Sequence, residues 1–252
     1  MQRLDLLLVE RGLADTRTRA QRLIKEGRVE AELGQWQRLD KPSFKLSPDT
    51  PLRVEAHEQD RFVSRGALKL LHALTTLQPA LDGITALDIG QSTGGFTDCL
   101  LQQGVAKVVG IEVGHDQLHP RLRQDTRVIC LEGYNARALE PTLRDYTPDA
   151  GGFDLAVMDV SFISQTLILP SLAPLLRPDG LLITLVKPQF EAGPEHIGKG
   201  GLVRNTAVYD QVRQKIETCC GDNGLTPCWW DESPITGGDG NHEFLLAARR
   251  TR

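Results

Sequence analysis

The chain has 252 residues, 40% of them hydrophobic and 25% charged, an ordinary globular composition that argues against a disordered chain. A formal charge of −4 and a pI near 5.9 exclude a molecule coated throughout in positive charge, while leaving room for a local basic patch. The five cysteines are odd in number and form no C-x-x-C pair, which argues against a disulfide framework or a zinc site and predicts mostly reduced, buried thiols.

The N-terminus reads MQRLDLLLVERGL, with an apolar run of four residues closely flanked by charge, so it is not read as a signal peptide. Longer runs such as GLLITLV fall far short of a membrane span. A soluble, cytoplasmic protein without a membrane partner is the expectation. Residues 1–56 read as two short helices followed by short strands. Asp15 or Thr16 caps a helix that runs to Glu26, with Gly27 as its stop. Ala20, Leu23 and Ile24 share one face of it, and Arg17, Arg22 and Lys25 lie on the neighbouring arc. On an isolated helix that arc reads first as a solvated basic face. The first 28 residues nevertheless hold seven basic against four acidic side chains. RVEAEL and PLRVEA are strand-like, and LGQWQRLDKPSFKLSPD between them is rich in turn formers.

Residues 64–77 form a helix with Ala67, Leu70, Leu71 and Leu74 as its buried stripe and Arg65, Lys69, His72 and Thr76 on the other side. Short apolar runs then alternate with helical stretches: TALDIG, AKVVGIEV, RVICLEG, FDLAVMDV, LLITLVKP, LTPCWWDE and HEFLLAAR. Helices are expected near 95–103, 116–123, 165–176 and 205–220. Strands apolar on both faces, alternating with helices, predict a doubly wound α/β sheet.

The strongest single motif is LDIGQSTGGFTDCLL, in which a strand ends at Asp88, a loop carries Gly90, Gly94 and Gly95, and a helix follows. Glycines let the backbone approach a ligand, and a helix N-terminus offers free N–H groups. The spacing is neither the dinucleotide fingerprint nor a phosphate-binding P-loop. An acid ahead of the loop suits a ligand with a cationic end, such as S-adenosylmethionine. Glu112 closes the second strand, where an acid can accept from ribose hydroxyls. Asn135 follows the third strand and is either an adenine reader or a turn former. Asp159 ends the fourth strand and Lys187 the fifth. A buried run ending in lysine requires a carboxylate, for which Asp159 is the candidate. Glu243 lies on the last strand, and the adjacent His242 alternates to the opposite face and is read as a non-catalytic histidine. GPEHIGKGGLVRN, residues 193–205, is a lid or a long loop.

Taken in order, SRGALKL, LDIGQSTGGFTDCLL, MDVSFIS, LVKPQFE, GKGGLVRN and SPITGGDGNHEFL resemble the hemolysin-A-type (TlyA-like) ribosomal RNA methyltransferases over nearly the whole chain. The resemblance implies an S4-like RNA-binding domain with its linker at 1–60 and an FtsJ-like methyltransferase domain at 61–252. It also implies a mostly parallel seven-stranded sheet in the larger domain and a small α+β fold in the first. The implied reaction is methyl transfer from S-adenosylmethionine to a cytidine ribose 2′-hydroxyl of ribosomal RNA, without a metal. The family's Lys-Asp-Lys-Glu pattern falls on Lys69, Asp159, Lys187 and Glu243. The implied cofactor site comprises Asp88, Gly90, Ser92, Thr93, Gly94, Gly95, Phe96, Glu112, Asn135 and Asp159. Arg3, Arg17, Arg22, Lys25, Arg28 and Arg65 are the candidate RNA contacts.

The chain departs from the family pattern at Gln91, where a small residue is usual and a narrower pocket is expected. It departs again at Tyr134 and at VEAELG, which is less basic than the family hairpin. Aromatic residues are 5% of the chain, few for a reader of single-stranded bases, so folded RNA or a ribosomal subunit is the expected partner. Three competing readings are a non-catalytic RNA-binding protein that retains the fold, a membrane-active hemolysin, and a small-molecule methyltransferase.

Overall fold

The computed structural model describes residues 1–251, apart from the side chains of residues 58 and 59. It divides into two compact units, Met1–Arg61 and Phe62–Arg252. Among the described residues, no helix is long and apolar enough to cross a membrane.

The first unit begins with β1 (Gln2–Arg3), α1 (Leu4–Glu10) and α2 (Arg17–Lys25). Thr16, not Asp15, caps α2: its hydroxyl accepts the Arg19 N–H at 3.2 Å. Gly27 leaves the helix in the left-handed region, at φ +69°, where a Cβ would be strained. Ala20, Leu23 and Ile24 bury against Leu4, Leu7 and Leu8 of α1. β2 (Val29–Glu32) then pairs antiparallel with β3 (Trp36–Arg38) and with β5 (Leu52–Val54), while β4 (Lys45–Leu46) pairs with β1. β3, like β4, falls in the stretch read as rich in turn formers. Its three residues are all exposed, so it carries no buried alternation to betray it.

Two charged groups of this unit are withdrawn from water. Asp5 is fully buried and accepts hydrogen bonds from Arg3, Arg17 and Gln21. The Arg3 guanidinium, followed by Gln21 and Arg17, holds its carboxyl well below the usual carboxylate range against the opposing effect of burial. Arg28, expected on the RNA face, is 2% exposed. It donates to the Glu55 carbonyl oxygen at 2.6 Å and pairs with Asp60, so its charge is spent inside the unit. Arg17, Arg22 and Lys25 remain exposed, and Arg3 is partly so.

The second unit opens with α3 (Ala67–Leu77), followed by β6 (Thr85–Ile89), α4 (Gly95–Gln102), β7 (Lys107–Glu112), α5 (Pro120–Arg123), β8 (Val128–Glu132) and β9 (Phe153–Met158). After these come α6 (Leu169–Leu172), β10 (Leu176–Val186), α7 (Pro188–Glu191), α8 (Ala207–Asp222), β11 (Leu225–Glu232) and β12 (Phe244–Arg250). The seven apolar runs expected as strands are β6 to β12. Where a helix was expected over 165–176, the chain forms a broken series of short turns around α6. Pro170 and Pro174 lack the N–H that a continuous helix would use. In α3, Lys69 was placed opposite the buried stripe, yet it is itself buried, because Glu243 meets it there. Ala73 is fully buried, whereas Leu71 is only half-buried.

Among the described residues the seven strands make one sheet, in the order β11-β12-β10-β9-β6-β7-β8. β12 runs antiparallel to β10 and β11, and the pairings from β10 through β8 are parallel. Side chains alternate between two cores. Leu87, Val109 and Met158 face the α6/α8 side, and Ala86, Val108 and Val157 face the α3/α4 side. With both faces covered, most positions of the central strands are apolar, which is why these runs stand out in the sequence. The chain leaves β6 toward β7 in one direction and returns through β9 on the other side. The carboxyl ends of β6 and β9 therefore flank the switch point of the sheet, where open α/β sheets form a ligand crevice.

Candidate active site

At the switch point the chain turns sharply out of β6. Gly90 adopts φ +81°, and a Cβ placed on it would lie 2.3 Å from the carbonyl oxygen of Asp159. A glycine is therefore required both by the torsion and by the neighbouring backbone. The Gly90 and Gln91 N–H groups both donate to the Ile111 carbonyl oxygen, at 2.9 and 3.1 Å, and the Asp159 N–H donates to that of Ile89 at 2.9 Å. Gly94 ends the loop at φ +92°, packed so closely on Leu118 and Leu122 that a Cβ would overlap both. α4 begins directly after it.

Asp88, expected to touch the ligand, lies beneath the loop and is 1% exposed. One carboxylate oxygen accepts the Thr97 hydroxyl at 2.6 Å, and the other has no hydrogen-bond partner among the described residues. Burial pushes its pKa up to about 7; the Asp159 and Glu112 charges push the same way, and the Thr97 hydrogen bond opposes them. Gln91, where a narrower pocket was expected, borders a polar cavity beside Ser64 and Lys187. Its amide lies against Gly110, where a Cβ would meet it at 2.0 Å, and donates to Thr97 Oγ1 at 2.9 Å. Glu112, expected to meet a ribose, uses its two oxygens on the N–H groups of Ser92 and Gly114, each at 2.8 Å. It still lines the crevice. Asn135 caps the turn after it by accepting the Arg137 N–H at 3.0 Å, and it too lines the crevice.

Two cavities meet at this loop. One, of about 420 Å³, has an apolar floor of Ile111, Val160 and Ile168 with Glu112, Gln117 and Asn135 at its edge. That volume lies in the usual range for a small-molecule site. The other, of about 180 Å³, is more polar and is bounded by Ser64, Thr93, Gly95, Phe96 and Lys187. Gly90, Ser92, Asp159 and Ser161 line both. Lys187 thus shares a wall with the glycine loop.

The four polar residues singled out from the sequence form two ion pairs. Lys187 Nζ lies 2.6 Å from Asp159 Oδ1 and donates to Ser161 Oγ at 2.9 Å. Lys69 and Glu243 form the second pair, 7% and 3% exposed, which borders neither cavity. Val186 is paired with Phe244 across β10 and β12, so Lys187 and Glu243 flank the same rung of the sheet. Arg65 is exposed near Gly238, in the turn that leads to Glu243. The 193–205 segment lines neither cavity; Asn241 fastens its end, accepting from the Val203 N–H and donating to the Gly201 carbonyl oxygen, both at 3.0 Å. His242 is exposed and paired with Glu232.

Two site residues escaped the sequence reading. Ser161 is the second acceptor for the Lys187 amine. Phe162 is 90% exposed at the cavity mouth, in the left-handed region at φ +64°, with its ring centroid 5.0 Å from that of Phe190. A bulky residue there is an uncommon and strained choice. Both follow Asp159 in MDVSFIS, so the motif pointed to them although spacing alone did not. Among the described residues, no group of three metal-ligating side chains converges.

The chain matches the family model of FtsJ-like methyltransferases over residues 62–250 and that of the S4 domain over residues 2–51. It is 47% identical to the "Putative rRNA methyltransferase YqxC" of Bacillus subtilis, over 97% of this chain and 84% of that protein. It is 39% identical to the "16S/23S rRNA (cytidine-2'-O)-methyltransferase TlyA" of Mycobacterium tuberculosis, over 98% and 89%. Among solved structures it resembles a "Putative hemolysin from Streptococcus thermophilus" with a TM-score of 0.76 and 42% identity, covering 99% of this chain and 88% of that one.

Gly90→Ala tests the turn. The added methyl meets the Asp159 carbonyl, and the torsion alone costs about 1–2 kcal/mol. The expected outcome is a melting temperature lowered by several degrees together with loss of ligand binding in the crevice, checked by scanning calorimetry and titration.

Proposed function

We propose a reaction for this chain, which belongs to the FtsJ-like methyltransferase family and carries an S4 domain: methyl transfer from S-adenosylmethionine to the 2′-hydroxyl of a cytidine in ribosomal RNA, presented within a ribosomal subunit. The observation that carries the reading is the Lys187–Asp159 pair, in which Asp159 lines both cavities and Lys187 bounds the smaller one.

The crevice residues fit the cofactor. The 420 Å³ cavity offers an apolar floor with Glu112 and Asn135 at its edge, suited to a nucleoside. The unpartnered oxygen of Asp88 below the glycine loop favours a cationic end nearby. Bound there, the cofactor supplies a methyl group on a positively charged sulfur.

The protein supplies position and a proton acceptor. A ribose hydroxyl is a weak nucleophile while it keeps its proton. Lys187 Nζ donates to Ser161 Oγ and lies 2.6 Å from Asp159 Oδ1; once it has given up a proton, its lone pair can take that of the hydroxyl. With the cofactor there to supply the methyl group, the proton lost by the hydroxyl would pass to Lys187, and Asp159 would stabilise the resulting ammonium. In-line alignment of the hydroxyl supplies much of the rate. Lys69 and Glu243 act one step back: their buried pair fixes the start of β12 beside Lys187 and shapes the local field. Phe162 presents an exposed ring at the mouth, on which an extruded base can stack. In the S4 unit, Arg22 and Lys25, with the exposed parts of Arg3 and Arg17, form the phosphate-facing surface; Arg65 serves the same purpose near the crevice. Arg28, being buried, is left out of it.

Three measurements check this reading. In Lys187→Ala, methyl transfer to ribosomal subunits, followed with labelled cofactor, falls at least about 100-fold while cofactor affinity stays within about threefold. Turnover near the wild-type value removes Lys187 from the chemistry. The second concerns pH. A cationic ligand favours the Asp88 carboxylate, so below about pH 7 binding must first expel a proton. Calorimetric affinity for the cofactor therefore weakens by up to about tenfold per pH unit below that value, and Asp88→Asn flattens the profile. Third, Arg22→Glu with Lys25→Glu weakens RNA binding and lowers the slope of log affinity against log salt by about one per lost phosphate contact. An unchanged slope refutes that surface.

A further inference from the structure

Glu191 closes α7, four residues after Lys187, and its side chain is 1% exposed. A carboxylate withdrawn from water must be met by donors. One oxygen accepts the backbone N–H of Gln165 at 2.7 Å. The other accepts the Ser164 hydroxyl at 2.6 Å and Lys215 Nζ, from α8, at 3.1 Å. Lys215 also donates to the Glu191 carbonyl oxygen at 2.7 Å, which holds α7 by its backbone as well.

Two of these donors belong to the segment that leaves β9. Asp159, Ser161 and Phe162 lie on it, and Ser164 and Gln165 end it. Gln165 is itself buried and reaches β10: it donates to the Leu185 carbonyl oxygen at 2.6 Å and accepts the Thr184 hydroxyl at 2.9 Å. The segment is therefore fixed at one end by the Asp159 N–H on Ile89, and at the other by the Gln165 side chain on β10 together with Glu191, which holds Ser164 and the Gln165 backbone to α7. Between those points, the Lys187–Asp159 pair is partly exposed, and such a pair contributes too little to hold two loops in register.

We propose that Glu191 is a positioning residue for methyl transfer: its carboxylate clamps the end of the 159–165 segment onto α7, so that Asp159 and Ser161 reach the Lys187 amine together. The inference rests on the function proposed above for the role of Lys187. It makes Glu191 neither a base nor a ligand for either substrate.

The test uses the full chain with Glu191→Gln and, separately, Ser164→Ala. Glutamine keeps the volume but offers one acceptor oxygen in place of two. Ser164→Ala removes a single half-buried hydroxyl, which also accepts the Thr166 N–H; its melting temperature is measured alongside, so it decides the matter even if the first variant does not fold. Two readouts are taken. With saturating cofactor, kcat on ribosomal subunits falls about 30-fold in Glu191→Gln and about fivefold in Ser164→Ala, while the KM for cofactor stays within about twofold. Independently of activity, Lys187 is labelled by formaldehyde and cyanoborohydride and followed by mass spectrometry, with Lys25 and Lys41 as internal references. A lysine released from its acceptors labels faster, and an increase of about threefold or more is expected in either variant. Unchanged Lys187 labelling overturns the clamp, as does a parallel loss of kcat, cofactor KM and melting temperature in Ser164→Ala. If the wild-type protein transfers no methyl group to ribosomal RNA, the function fails, and the labelling still decides whether Glu191 holds the two loops together.

Discussion

The tight crossing of two chain segments at Gly90 and Asp159 is the constraint on which the rest of the site depends. Neighbouring parallel strands β6 and β9 end side by side, and the backbone leaving one turns against the carbonyl of the other with no room for a side chain between them. That contact puts the glycine loop and Asp159 on one wall. Because β10 is the next strand over, Lys187 comes to the same wall. A crevice with an apolar side and a charged side follows from the strand order rather than from any single motif.

The charged groups around that crevice are held in graded degrees of contact with water. Asp88 and the Lys69–Glu243 pair are withdrawn from it, Glu191 is withdrawn but surrounded by donors, and Lys187 with Asp159 stays open to the cavities. The gradient is physically sensible. A buried and fully paired charge resists movement, because breaking one partner leaves the other uncompensated in a poor solvent. Such groups suit scaffolding. A pair that remains in contact with a cavity can exchange a partner for a substrate hydroxyl at small cost. The same logic governs the first unit, where Asp5 and Arg28 are buried and paired while Arg22 and Lys25 stay in contact with water.

Much of this was legible in the sequence, for identifiable reasons. The strands of the large sheet are apolar on both sides because helices cover both faces, so they appear as unbroken runs between turn formers. The glycine loop is legible because only glycine tolerates φ near +80° against a neighbouring carbonyl, so the backbone requirement is written as residue identity. Thr16, Gly27 and the apolar stripe of α2 follow from local rules that need no distant partner. The requirement for a carboxylate beside Lys187 was also legible, since a lysine at the end of a buried strand cannot stand alone.

What the sequence determined by itself, then, is whatever depends on one residue and its near neighbours: strand and helix periods, turn torsions and the identity of the ionisable groups. The tertiary structure decided which charges are buried and with whom. Lys69 reads as a solvent-facing residue until Glu243, 174 positions away, arrives beside it. Arg28 reads as part of a basic surface until Asp60 and the Glu55 carbonyl close over it. Glu191 reads as an ordinary acid at the end of a short helix until the segment leaving β9 folds back to donate to it. A side chain's burial depends on what the rest of the chain brings against it, and that information is not contained in local spacing.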